Sequence, residues 1–137
     1  MGSRDGEHQA RDVARGAFQA LRAAMRDAEA TFAHEAQVAE ALMRALGTES
    51  SMTELAARFP IAEERTRLTR ALDEYETRRR AARVALWRVM LAEGCSIGEV
   101  SRIFGLSRQL VSRQLRDARG AVLDVQTGQE PLPGTSR

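Results

Sequence analysis

Apolar residues recur along this chain at spacings of three and four, the signature of helices with one covered stripe. From about Glu7 to Leu46 the pattern runs without proline and with one internal glycine, Gly16. Phe18, Leu21, Met25, Ala28, Phe32, Glu35, Ala39, Leu42 and Leu46 follow a three-four repeat, and Glu35 alone is not apolar. That seam is long enough to pair with another helix. In an alanine-rich segment the weight rests on Phe18, Leu21, Met25, Phe32, Leu42 and Leu46. Gly47 is a natural stop, and the polar residues 1 to 7 are expected to fray.

Thr48 to Pro60 breaks the pattern. Ser51 and Glu54 have capping-box spacing and open a short helix through Phe59, with Met52, Leu55, Ala56 and Phe59 to bury. A second long helix is expected from Ile61 to Glu93, where Gly94 ends it. Leu68, Leu72, Tyr75, Ala82, Leu86 and Val89 form its stripe, which Arg79 interrupts. Val84, Trp87, Met90 and Leu91 broaden the apolar surface at its end, enough to cover two further helices. The stretch 96–119 then reads as helix, tight turn, helix. Ser96 and Glu99 are a second capping box, Val100, Ile103 and Phe104 one apolar stripe, and Gly105 the stop. Leu106 plugs the turn, Ser107 caps the next helix, and Val111 and Leu115 face inward.

The predicted fold is therefore all-α. Residues 1–60 form an N-terminal helical and dimerisation region. Residues 61–120 are a long helix leading into a trihelical domain, and 121–137 are a flexible tail. Ala121 to Val125 can extend the fold, and Gln126 to Arg137, rich in glycine, proline and polar residues, reads as disordered. The seam of the first helix has two uses: pairing with a second subunit, or folding back on Leu68, Leu72 and Tyr75 as a hairpin. Pairing is the expectation, because so thin a core gains from a second copy.

Composition changes the picture in two places. Hydrophobic residues make up 43% but aromatics only 4%, so much of the apolar content is alanine and the core is thin. All 21 basic residues are arginine, spread over the whole chain, which is the mark of codon bias. Their balance against acids is not uniform. Residues 78–120 hold ten arginines against Glu93, Glu99 and Asp117, a net of +7 in a chain of +2, which leaves −5 for the rest. A basic segment on an acidic remainder is the footprint of a polyanion-binding unit.

The side chains left facing out in the last helix suit that use. Arginine donates two hydrogen bonds to guanine, glutamine pairs with adenine, and serine donates to or accepts from several base edges. Gln109 and Arg113 are one turn apart, with Arg108, Ser112 and the cap Ser107 beside them. Arg116 and Arg119 lie further along, where a helix leaving a groove meets phosphates. Arg79 and Arg80, in the run Arg78-Arg79-Arg80 with Arg83, are either a solvated face or further phosphate contacts.

Ala92-Glu93-Gly94-Cys95-Ser96-Ile97-Gly98-Glu99-Val100, continued by Phe104-Gly105-Leu106-Ser107-Arg108 to Leu115, resembles the helix-turn-helix of DNA-binding domains. It is most similar to the C-terminal domain of resolvase-type recombinases, and also to region four of bacterial sigma factors. The resemblance covers roughly residues 80 to 119. It implies that the helix from Arg108 enters the major groove and the helix from Ile97 braces it. Gln114 departs from the pattern, standing near a position where such motifs bury an apolar residue, and Ser101 stands where alanine is commoner. The catalytic domain that precedes such a motif in recombinases has no counterpart here, so only DNA binding transfers.

No enzyme constellation is visible: no phosphate-cradling glycine loop, no HExxH and no Ser/His/Asp arrangement. Cys95 is alone, and His8 and His34 have no partner at ligand spacing, so no metal, cofactor or small-molecule ligand is expected. No run of some 18 apolar residues or signal-like segment appears, and the expected location is the cytoplasm. Three functions remain open. One is a small dimeric transcriptional regulator that binds double-stranded DNA in a sequence-specific way. Another is a helical interaction protein of RNA polymerase or a sigma factor. The third is a non-catalytic DNA-binding accessory of a recombination or partition system.

Overall fold

A computed structural model describes residues 2–49 and 51–127. Among them are five helices and no strand: α1 Gly2–Leu46, α2 Met52–Arg58, α3 Ile61–Ala92, α4 Ile97–Phe104 and α5 Arg108–Thr127. None is long and apolar enough to cross a membrane. The chain divides into two compact units, Asp12–Arg83 and a second made of residues 1–11 with 84–137.

In the unit Asp12–Arg83, α1 and α3 run antiparallel as a hairpin. His34 bonds Glu64, while Met25, Ala28 and Phe32 lie beside Leu72 and Tyr75. The covered face of α1 is not the one its large side chains mark. Ala14, Ala24 and Ala28 are buried, and Leu21 and Leu42 are half-buried on the same side. Alanines let the two backbones approach closely, which Phe18 and Met25 would prevent. The expected seam is thus split: Leu21 and Leu42 turn inward, whereas Phe18, Met25 and Phe32 stay 43%, 51% and 49% exposed and Leu46 is also exposed. The short α2 is anchored by Leu55 alone, with Met52 and Ala56 left in solvent. Ser51 caps it by accepting from the N–H of Glu54 at 3.1 Å.

The hairpin also holds a polar cluster. Glu64 accepts from His34 Nε2 at 2.9 Å, pairs with Arg67 at 3.3 Å and shares a hydrogen bond with the carboxyl of Glu35. Glu35, the one break in the sequence seam, is half-buried here. The bond to Glu64, then burial, pushes the Glu35 carboxyl above the ordinary glutamate value. The His34 bond, helped by Glu35 and Arg67, holds Glu64 below it against the opposing effect of burial.

The second unit gathers the end of α3 with α4 and α5. Val84, Trp87, Val100, Val111 and Leu115 are its core, with Met90, Leu91, Cys95, Phe104, Leu106 and Ala118 packed around them. Trp87 is wholly buried and meets Phe104 edge to face, with ring centroids 5.7 Å apart. The first turns of α1 belong to this unit. The helix starts at Gly2 rather than near Glu7, and Arg11 further along it pairs with both Glu7 and Glu93. At the other end α5 continues past Gly120 through Thr127. One glycine inside a helix costs only about 1 kcal/mol, so it does not stop this one. The rest of the expected tail, residues 128–137, lies outside the described residues.

Candidate nucleic-acid interface

Two glycines set the direction of the chain around α4. Gly94 ends α3 at φ 100°, with the N–H of Cys95 returning to the Met90 carbonyl at 2.9 Å. Gly105 ends α4 at φ 63° and ψ 33°, a left-handed conformation that costs glycine little. Its N–H returns to the Arg102 carbonyl at 3.3 Å, and that of Leu106 to Ser101 at 3.0 Å. Ser101 is buried and its hydroxyl donates to the carbonyl of Leu106, so the turn is tied on both sides.

That bond explains a departure from the expected stripe of α4. Val100 and Ser101 are buried, while Ile103 is 67% exposed. Serine takes an inner position because its hydroxyl finds a backbone acceptor there, and its small size lets α5 come close. The N-terminus of α4 is closed by both halves of the capping box. Glu99 N–H donates to Ser96 Oγ at 3.2 Å, and Ser96 N–H to the Glu99 carboxylate at 2.7 Å. Those bonds to Ser96 hold the Glu99 carboxyl below its ordinary range.

α5 starts under the same control. Ser107 accepts from the N–H of Leu110 at 3.2 Å, so its hydroxyl is already engaged as a cap. Val111 and Leu115 are locked in the core, which fixes the rotation of the helix. Gln109, Arg113 and Arg116 are exposed and, at 3.6 residues per turn, fall within about 60° of one another. Arg108 and Arg119 are exposed on the flank, and Ser112 is half-buried between them. No ion pair among the described residues involves Arg108, Arg113, Arg116 or Arg119. Asp117 is the one acid on the described side of α5 before Gly120.

The other expected contacts sit differently. Arg79 and Arg80 belong to the stretch of α3 in the unit Asp12–Arg83, and Arg79 is paired with Glu76 at 3.3 Å. Arg83, beside both, is pushed below the usual arginine range by burial and by its two cationic neighbours. Arg102, exposed on α4, escapes a search confined to the outward face of α5. Its place one residue before the inward Ile-Phe pair of the sequence stripe hides it. Among the described residues, no cluster of three histidine, cysteine or carboxylate side chains could hold a metal ion.

No protein-family model matches the chain, and neither a curated protein nor a solved structure shows significant similarity to it.

Proposed function

We propose that this protein binds double-stranded DNA in a sequence-specific way, as a small dimeric transcriptional regulator, with α4 and α5 acting as a helix-turn-helix. The observation that carries the reading is the outer face of α5. Arginines with no ion-pair partner among the described residues stand with Gln109 on a helix whose rotation is fixed by Val111 and Leu115. Arg113, Arg116 and Arg119, three residues apart on one side of α5, repel one another by roughly a few tenths of a kcal/mol per pair, which an anion meeting them there would relieve. The residues present are those that read bases and phosphates in a major groove. Gln109 and Arg113 are the base readers, and Arg116 and Arg119 the phosphate contacts.

Two-fold pairing completes the reading, since one motif of this size offers few base contacts and paired half-sites are the usual remedy. Of the half of the α1 seam that the hairpin leaves open, Met25 and Phe32 join Leu72 and Tyr75 in a largely apolar groove fit for a second subunit, and Phe18 is exposed further along the same helix. Alanine substitution separates the two kinds of DNA contact. Gln109→Ala or Arg113→Ala costs roughly 1–3 kcal/mol on the preferred site and relaxes base preference, whereas Arg116→Ala weakens all sequences alike. Equal effects of both classes on specific and random duplexes would refute the assignment of the reading face.

A further inference from the structure

Gly98 has no conformational reason to be glycine. It is the second residue of α4, its backbone is helical, and alanine is the better helix former there. The space its missing side chain leaves is taken by Arg108. A Cβ built on Gly98 would lie 2.8 Å from Arg108 Nη2, 3.1 Å from Cζ and 3.1 Å from Nε. Three atoms of one planar group that close to a single point place the guanidinium against the first turn of α4, its Nε–Nη2 side nearest Gly98. The turn beneath it is held by the Ser96–Glu99 capping box.

We infer that Gly98 is a positioning residue: it seats the Arg108 guanidinium on α4 and presets it to clamp a backbone phosphate rather than read a base. The phosphate part rests on the DNA-binding reading above. With its head group drawn onto α4, Arg108 is turned away from the face shared by Gln109, Arg113 and Arg116. Arg108 is nevertheless exposed, and no ion pair among the described residues engages it. A planar edge of N–H donors matches two phosphate oxygens. Arginine has large rotamer freedom to lose on binding, and a side chain already held in place loses less of it.

Gly98→Ala in the full chain tests both parts. The new Cβ displaces only the far end of a flexible side chain, so the fold persists with an unchanged or higher thermal midpoint. Arg108 Nε–Hε, followed by ¹⁵N relaxation, is ordered in the unmutated protein and becomes mobile in the variant. Affinity for a mixed-sequence duplex falls several-fold, to the level of Arg108→Ala, and preference among duplexes does not change. The log–log salt slope becomes shallower by about 0.9, one phosphate contact. The double variant binds no more weakly than Arg108→Ala alone. Unchanged Arg108 ordering and affinity in Gly98→Ala would overturn the inference, as would additive losses in the double variant. An unmutated protein that binds no duplex while Arg108 is ordered would instead overturn the DNA-binding reading, and the phosphate role with it, leaving the seat itself supported.

Discussion

Gly105→Ala isolates the cost of the turn that orients α5. A Cβ built at Gly105 meets nothing within 4 Å, so no packing clash enters. What remains is the backbone, held at φ 63° and ψ 33°. An L-residue pays roughly 1–2 kcal/mol in that left-handed conformation. Alanine also restricts the unfolded chain, which returns about 0.4–1 kcal/mol. The net is a loss of roughly 1 kcal/mol. The chain can escape the strain only by unwinding the turn, which breaks the Gly105 and Leu106 backbone bonds and the Ser101 hydroxyl bond at about 0.5–1.5 kcal/mol each. Strain is therefore the lesser cost and the turn persists. Urea unfolding followed by the fluorescence of Trp87, the one tryptophan and part of the same core, measures the change directly. Gly16→Ala is the control. Gly16 is helical and also open, so the same chemical change gains about 1 kcal/mol, read by far-UV circular dichroism. A Gly105→Ala protein as stable as the parent would show that the turn is not left-handed, and the placement of α5 would fall with it.

Two further outcomes are expected. Glu35, whose pKa is raised, contributes stability that is present at low pH and lost as pH rises through its folded value. Glu64, whose pKa is lowered, contributes stability present above the ordinary glutamate value and lost as pH falls below it. Glu35→Gln keeps a donor toward Glu64 without the charge, so urea midpoints across pH should lose their decline on the alkaline side of the ordinary glutamate value; a profile identical to the parent's refutes the shared hydrogen bond. Met25→Asp or Phe32→Asp alters half-exposed positions, so helicity should persist while sedimentation at tens of micromolar shifts from dimer to monomer and DNA affinity drops; a parent protein that sediments as a monomer there refutes the pairing.

The region from Gly94 to Leu115 is legible in the sequence because its signals are local. A capping box, two glycines at helix ends and a serine cap each need only a few neighbouring residues. The same holds for Val111 and Leu115, whose spacing fixes the inner face of α5. The face of α1 is less legible. Large side chains dominate any periodic signal, yet the hairpin covers Ala14, Ala24 and Ala28, since close approach of two helices favours small residues over bulky ones. Ile103 and Ser101 exchange their expected places because a buried hydroxyl with an acceptor in reach is satisfied there, and hydrophobicity alone does not register that. The pairing of Arg11 with Glu93 and the approach of Arg108 to Gly98 each join stretches distant in sequence or on separate helices; neither contact leaves a trace in local pattern. Arg79 carries the same charge in either reading, and its pairing with Glu76 distinguishes it from the arginines of α5, which make no ion pair among the described residues.

The central claim is that the outer face of α5 meets duplex DNA. Binding isotherms of the intact chain on genomic duplex fragments, over a series of salt concentrations, test it most directly. Four to six phosphate contacts per subunit give a log–log slope of about −4 to −5. A slope in that range, with some fragments bound more tightly than random duplex, is the predicted result. Binding that does not depend on salt, or no binding at low ionic strength, would contradict it.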